Sequence, residues 1–251
     1  MIQQQDGPRL KNKVALVTGS SRGIGAQIAR AYAREGARVV LTYREEEAAA
    51  HALAREIDAA LVQRLDVVDR DSIRRCFATA AESLGGIDVL VNNAGVNITG
   101  DFDEITDEDW DTVVDVDLKG VFLCCQEILP HVRDNGRVIN IGSLSGEYGG
   151  PRTPSYAAAK AGIIALTHCF ARFVANRGIC VNNLSPGVIA SDLTDKTMPP
   201  FLKEKILPLI LTGRLGRYEE LDEAAIFLAS EESGYVTAQT ISVNGGAWVR
   251  I

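Results

Sequence analysis

Tyr156 and Lys160 stand four positions apart at the start of a stretch with helical periodicity. Side chains four apart on a helix share one face. A free tyrosine ionises near pH ~10 and a free lysine near ~10.4, and a cation beside a phenol favours the phenolate. The pair therefore suits general acid or base work nearer neutrality. A plain alternative is an exposed amphipathic pair, because this spacing recurs by chance. Ser143 lies thirteen residues before Tyr156, just after a strand, and Ser145 is its nearby rival. Both also fit the description of ordinary loop serines.

A second candidate lies near the other end of the chain. Thr18-Gly19-Ser20-Ser21-Arg22-Gly23-Ile24-Gly25 joins an apolar strand to a helix. Glycines there let the backbone turn tightly and approach a ligand closely. The helix that follows points free N–H groups at whatever occupies the turn, which suits a phosphate. A simple tight turn would use the same glycines, but the strand–turn–helix context favours a nucleotide.

Such residues need a scaffold, and the composition bounds it. The 251 residues suit one large domain or two small ones. Lys plus Arg is 26 and Asp plus Glu is 33, a net charge of −7, which disfavours general binding to nucleic acid or an anionic membrane. The chain is 46% hydrophobic and 24% charged, ordinary for a globular protein. No uninterrupted apolar run reaches the ~18 residues of a membrane span. Met1 to Pro8 is polar, which argues against a secretory signal. Cys76, Cys124, Cys125, Cys169 and Cys180 form no metal-binding spacing, and His51, His131 and His168 lie far apart. The expectation is a cytoplasmic protein without a metal, working with an organic cofactor.

Periodicity predicts strands over Val14–Val17, Arg38–Tyr43, Ala60–Leu65, Ile87–Asn92, Arg137–Gly142, Ile179–Leu184 and Thr240–Val243. It predicts helices over Ile24–Arg34, Glu45–Ile57, Asp69–Leu84, Thr106–Leu129, Pro154–Asn176 and Glu219–Ala229. Strand and helix alternate, so the fold class is α/β, a doubly wound parallel sheet of about seven strands covered on both faces. We expect a single dinucleotide-binding catalytic domain over 1–251, with a tail at 1–11. The irregular stretch 189–216 is expected to be a substrate lid, in which Leu193, Met198, Phe201, Leu202 and Ile206 suggest a partly apolar pocket.

The glycine spacing is TGxxxGxG rather than GxGxxG. With Asn92-Asn93-Ala94-Gly95, Tyr156 and Lys160, it resembles the short-chain dehydrogenase/reductase family over nearly the whole chain, Val14 to Gly246. Gly213-Arg214-Leu215-Gly216-Arg217 and Val243-Asn244-Gly245-Gly246 resemble the 3-oxoacyl-carrier-protein reductase branch. The resemblance implies a Rossmann-type fold that transfers hydride between a nicotinamide and a ketone or secondary alcohol. It implies Ser143, rather than Ser145, as the residue that hydrogen-bonds the substrate oxygen, Tyr156 as proton donor, and Lys160 on the nicotinamide ribose. Gly19, Ser21, Arg22, Gly23, Ile24 and Gly25 would then hold the cofactor phosphates. Asp66 and Val67 would meet the adenine. Asn93, Ala94 and Gly95 would line the crevice, and Pro186, Gly187 and Ile189 would flank the nicotinamide.

One position departs from the pattern. The family places an asparagine where Asp117-Leu118-Lys119-Gly120-Val121-Phe122 begins. An ionised aspartate accepts hydrogen bonds but donates none, so the asparagine's anchoring of a helix bend is in question. The choice of cofactor rests on the second strand's end, where NAD enzymes carry an acid. Here Tyr43 stands in that place, followed by Arg44, with Arg22 in the glycine loop. Two guanidinium groups suit a 2′-phosphate, which predicts NADP(H). Glu45, Glu46 and Glu47 oppose this by charge, unless they only favour the next helix's N-terminus.

The leading expectation is therefore an NADPH-dependent carbonyl reductase acting on a small carbonyl or an acyl thioester, with acyl carrier protein a candidate partner. The alternatives are a sugar, polyol or other secondary-alcohol dehydrogenase, and a nucleotide-binding regulatory protein impaired at Asp117. An acidic carrier protein would want a basic patch, for which Arg133, Arg137, Arg152 and Arg177 are candidates. Surplus apolar residues on the two longest helices, Phe122 and Phe173 among them, predict a homotetramer with two-fold interfaces.

Overall fold

The computed structural model describes residues 7–191 and 200–247. Seven parallel strands form one sheet in the order β3-β2-β1-β4-β5-β6-β7. They are β1 (Val14–Val17), β2 (Arg38–Tyr43), β3 (Leu61–Arg64), β4 (Ile87–Asn92), β5 (Val132–Ile141), β6 (Cys180–Pro186) and β7 (Thr240–Val243). The order reverses direction beside β1, where β2 lies on one side and β4 on the other. Such a switch point opens a crevice at the strands' carboxyl ends.

The helices are α1 (Gly23–Arg34), α2 (Glu47–Ile57), α3 (Arg70–Leu84), α4 (Asp107–Val114), α5 (Gly120–Glu127), α6 (Ser145–Tyr148), α7 (Pro154–Val174), α8 (Pro200–Ile206) and α9 (Asp222–Ala229). Strand residues alternate between two cores. Val14 and Leu16 join one core with Phe77 of α3, Leu123 of α5 and Ile163 of α7. Ala15 and Val17 face the other, with Ile28 and Tyr32 of α1 and Ile226 of α9. The sheet is thus buried on both faces, as a parallel sheet requires. Of the expected N-terminal tail, Leu10 is fully buried and its N–H donates to the Glu35 carbonyl at 3.0 Å.

Several boundaries moved. The helix expected over Thr106–Leu129 starts where predicted, capped by Thr106 and Asp109 in a reciprocal capping box. It is then interrupted by a π-helical turn, Asp115–Lys119, before α5. Strand β5 starts five residues earlier than expected, at Val132, because Val132 pairs with Ile87 across an irregularity in register. The helix expected over Glu219–Ala229 opens with a 3₁₀ turn, Tyr218–Leu221. Pro154–Arg177 is long and apolar enough, by length and composition, to cross a membrane. Lys160, His168 and Arg172 interrupt its apolar run. Here its Ile163, Phe170 and Val174 are buried in the core.

Candidate active site

The glycine loop leaves β1 with Gly19 at φ +62° and Gly23 at φ +61°, a left-handed region that favours glycine. The loop is braced from two sides. Gly19 N–H donates to Thr42 Oγ1 at 3.0 Å, and Ser20 N–H to the Thr42 carbonyl at 2.9 Å. On the other side, Asn93 Nδ2 donates to the carbonyls of Thr18 and Gly19, both at 2.9 Å, while the Asn93 and Ala94 N–H groups donate to Thr18 Oγ1. A side chain at Gly25 would collide with the Asn93 amide. Asn93 and Ala94 therefore shape the loop, a role their spacing alone did not reveal.

Helix α1 begins beyond Arg22 with no side-chain cap and no acidic residue in its first turn. Its N-terminal donors are open, so an anion fits there. Ser21 and Ile24 flank this opening, half-buried. The β2 end carries Tyr43 and Arg44. Tyr43 tilts against His51 with ring centroids 6.4 Å apart. Arg44 pairs with Glu45 at 2.7 Å, so one of the three opposing acids does engage it. Glu47 instead faces His51, at 3.8 Å. Asp66 Oδ1 accepts the Val68 N–H at 3.1 Å, and Val67 is buried beneath Gly120.

The acid–base residues come together at the ends of β5 and α7. Ser143 Oγ accepts the Ser145 N–H at 3.1 Å, which leaves the Ser143 hydroxyl proton to be donated elsewhere. The rival Ser145 packs its hydroxyl against Gly150. Lys160 is 4% exposed, and its Nζ donates to the Ile141 carbonyl at 3.0 Å. Nζ lies 5.3 Å from the Tyr156 ring centroid, so the sequence spacing does place both on one face. A buried polar relay holds that helix to the sheet: Asn92 Nδ2 to Asn140 Oδ1 at 2.8 Å, then Asn140 Nδ2 to Thr167 Oγ1 at 2.9 Å.

Asp117 sits in the π-helical turn, fully buried. Its Oδ1 accepts the Val96 N–H at 2.7 Å, and its Oδ2 lies 3.0 Å from Lys160 Nζ, an ion pair off the line of a good hydrogen bond. The helix bend is therefore present and anchored, through an acceptor that aspartate and asparagine share. A Cβ at Gly95 would lie 2.8 Å from Oδ2, which accounts for the glycine there. Burial opposes the Lys160 ammonium, but the Asp117 carboxylate and the Tyr156 hydroxyl outweigh it, holding this lysine above its ordinary value.

Pro186 ends β6 opposite Val243, and the Gly187 N–H donates to the Val243 carbonyl at 2.9 Å. Ile189 is buried and pairs with Gly216. That corner is fixed by Glu220, which Arg214 holds ionised down to about pH 2. Leu193 and Met198 lie outside the described residues, as does part of the expected lid. The four arginines that were candidates for a basic patch are all engaged within the chain. Arg133 pairs with Asp88, Arg152 with Asp101, and Arg177 with Asp134, while Arg137 is buried on carbonyl oxygens of Asn135, Gly136 and Ser230. Arg133, Arg137 and Arg177 also satisfy carbonyls of turns and strand ends, whereas Arg152 is held by the carboxylates of Asp101 and Glu104.

The family described as Enoyl-(Acyl carrier protein) reductase matches residues 19–247. The chain is 40% identical over 243 residues to 3-oxoacyl-(acyl-carrier-protein) reductase FabG of Staphylococcus aureus, covering 94% of this chain and 98% of that one. It is 39% identical over 246 residues to the protein of that name from Thermotoga maritima, covering 95% and 98%. Among solved structures, a dehydrogenase/reductase from Sinorhizobium meliloti 1021 superposes with TM-score 0.91 at 34% identity, covering 97% of this chain and 98% of that one. A blue fluorescent protein from a metagenomic library, in complex with NADPH, superposes with TM-score 0.89 at 33% identity, covering 96% and 100%.

Proposed function

Because the chain belongs to the short-chain dehydrogenase/reductase family, we propose that it is an NADPH-dependent carbonyl reductase acting on 3-oxoacyl thioesters. The observation that supports this is Lys160 Nζ seated on the Ile141 carbonyl at the end of β5 and 5.3 Å from the Tyr156 ring, with Ser143 two residues beyond Ile141. Relatives named for the same activity supply the substrate class, with the thioester carried by acyl carrier protein. The nicotinamide, when bound, supplies the hydride.

The residues present fit that cofactor. Gly19, Ser21, Arg22, Gly23, Ile24 and Gly25 hold the pyrophosphate at the α1 N-terminus. Arg22 and Arg44, with Tyr43 between strand and turn, take the 2′-phosphate. Asp66 and Val67 take the adenine, and Asn93, Ala94 and Gly95 form the crevice wall. Pro186, Gly187 and Ile189 orient the nicotinamide, and Tyr156 and Lys160 hold its ribose.

Ser143 donates its hydroxyl proton to the substrate oxygen, since its own acceptor is already taken by Ser145. Tyr156 gives the proton that converts that oxygen to a hydroxyl. Lys160 stays cationic under Asp117 and Ile141 and steadies the phenolate left behind. Asp117 acts through Lys160. The segment 189–216 serves as the lid over a single catalytic domain, in a homotetramer built on α5 and α7. The five free cysteines suit the cytoplasm.

The test is NADPH oxidation with an acetoacetyl thioester beside sugars, polyol-derived ketones and small ketones. The thioester is expected to be preferred, and Tyr156→Phe to lose roughly 10²–10⁴-fold in turnover with cofactor affinity nearly intact, since Lys160 and the glycine loop still hold the cofactor. Preference for a sugar or simple ketone would move the substrate assignment. A Tyr156→Phe turnover within about twofold of the parent would remove the assigned acid.

A further inference from the structure

Arg64 is the last residue of β3 and lies opposite Tyr43 in the parallel register. Its Nε donates to the carbonyl oxygen of Arg44 at 3.2 Å. The side chain is exposed, and among the described residues no carboxylate pairs with it. Arg44, by contrast, has its guanidinium on Glu45 at 2.7 Å. The corner where β2 and β3 end therefore holds one engaged guanidinium and one uncommitted one. A planar guanidinium has five donors, so the single bond from Nε leaves both terminal nitrogens free to fork onto an anion.

From this placement we infer that Arg64 is a further contact for the 2′-phosphate of the cofactor and a determinant of its selection. The inference rests on the NADPH reading above. Arg64 would act in two ways. Its bond to the Arg44 carbonyl holds the chain that leads from Tyr43 into α2. Its free edge adds a cation where Glu45 has already drawn charge from Arg44. Of the two remaining acids in that run, Glu47 is directed elsewhere, towards His51 and the Tyr43 hydroxyl. The Arg64 charge is close enough to act on that same hydroxyl, against burial and Glu47, which hold the phenol up. A cation so placed favours a phosphate dianion and gives a plain ribose nothing extra.

The probes are 2′,5′-ADP, which carries the phosphate, and 5′-AMP, which does not, titrated into the full chain by calorimetry alongside NADPH and NADH. The parent is expected to bind 2′,5′-ADP more tightly than 5′-AMP. Arg64→Gln should weaken 2′,5′-ADP and NADPH about tenfold and leave 5′-AMP and NADH unchanged. Arg64→Lys, which returns the charge without the fork, should recover part of that loss. A Gln variant that discriminates as well as the parent overturns the inference and spares the NADPH reading. A variant that loses 5′-AMP and 2′,5′-ADP equally also overturns it, since Arg64 would then only support the turn. A parent that does not tell the two probes apart overturns the NADPH reading itself, and this inference with it.

Discussion

Asp117 is the residue whose chemistry most distinguishes this chain from the pattern it resembles. A carboxylate and an ammonium are buried together, with side chains 0% and 5% exposed. Removing one partner of a buried pair outright costs about 3–5 kcal/mol. Asp117→Asn is gentler, because an amide oxygen can still accept the Val96 N–H. Lys160 is held above its ordinary 10.5, so its charge and the stability it lends are complete below that pH and are lost only as pH rises through the raised value. The carboxyl group 3.0 Å from Nζ competes with Tyr156 for the Lys160 charge. Asp117→Asn should therefore raise activity at neutral pH and move the oxidative limb to lower pH, with the smaller change in the reductive direction. The measurement is a pH–rate profile in both directions. Superimposable profiles would mean that the carboxylate exerts no charge on the site.

Between residues and fold stand two short elements that decide where the site closes. The π-helical turn admits one extra residue per turn and thereby aims Asp117 inward, a use typical of such turns at functional sites. Helix α6 follows Ser143 and is pinned on two sides. Glu147 Oε1 accepts from Ser185 Oγ at 2.6 Å and Ser242 Oγ at 2.9 Å, joining it to β6 and β7. Gly146 lies so close to α7 that a Cβ would stand 2.6 Å from the Lys160 carbonyl carbon. Gly146→Ala must push α6 away from α7, and with it Ser143 away from Tyr156. Overpacking of this kind costs about 1–3 kcal/mol. The variant is expected to melt several degrees lower, at roughly 2–4 °C per kcal/mol, and to lose more than about tenfold in kcat while cofactor KM holds, since 1 Å of misplacement is that costly. Parent-like kcat in the variant would show that α6 does not set the position of Ser143.

For the whole molecule, the described surface leaves Phe122 of α5 42% exposed and Phe173 of α7 69% exposed. Large apolar side chains left out on neighbouring helices mark a face that another copy can cover. The proposed tetramer, built on this face, predicts that Phe173→Glu lowers the assembled mass, read by light scattering on a sizing column. An unchanged mass would place the interface elsewhere.

The fold was largely legible because alternating periods of two and 3.6 residues leave few arrangements once strands and helices alternate. Val14–Val17, Arg38–Tyr43, Ile87–Asn92 and Thr240–Val243 are strands at the expected residues. Those boundaries depend on local pattern, which a chain carries in itself. The π-helical turn was not legible in the periodicity, since Asp115–Lys119 reads as ordinary helix; the resemblance at Asp117 signalled a bend, and the contacts of Asp117 with Val96 and Lys160 show how it is held. The pairing of Tyr156 with Lys160 followed from spacing along one helix. The pairing of Lys160 with Asp117, forty-three positions earlier, did not, and neither did the approach of Arg64 to Arg44. Nor could composition show that Arg133, Arg137, Arg152 and Arg177 are bound within the chain, because a charge count is blind to which carboxylates and carbonyls lie near. Sequence determined the elements and the chemistry they carry; contacts between distant segments, set by how the sheet and helices pack, decided which charges meet.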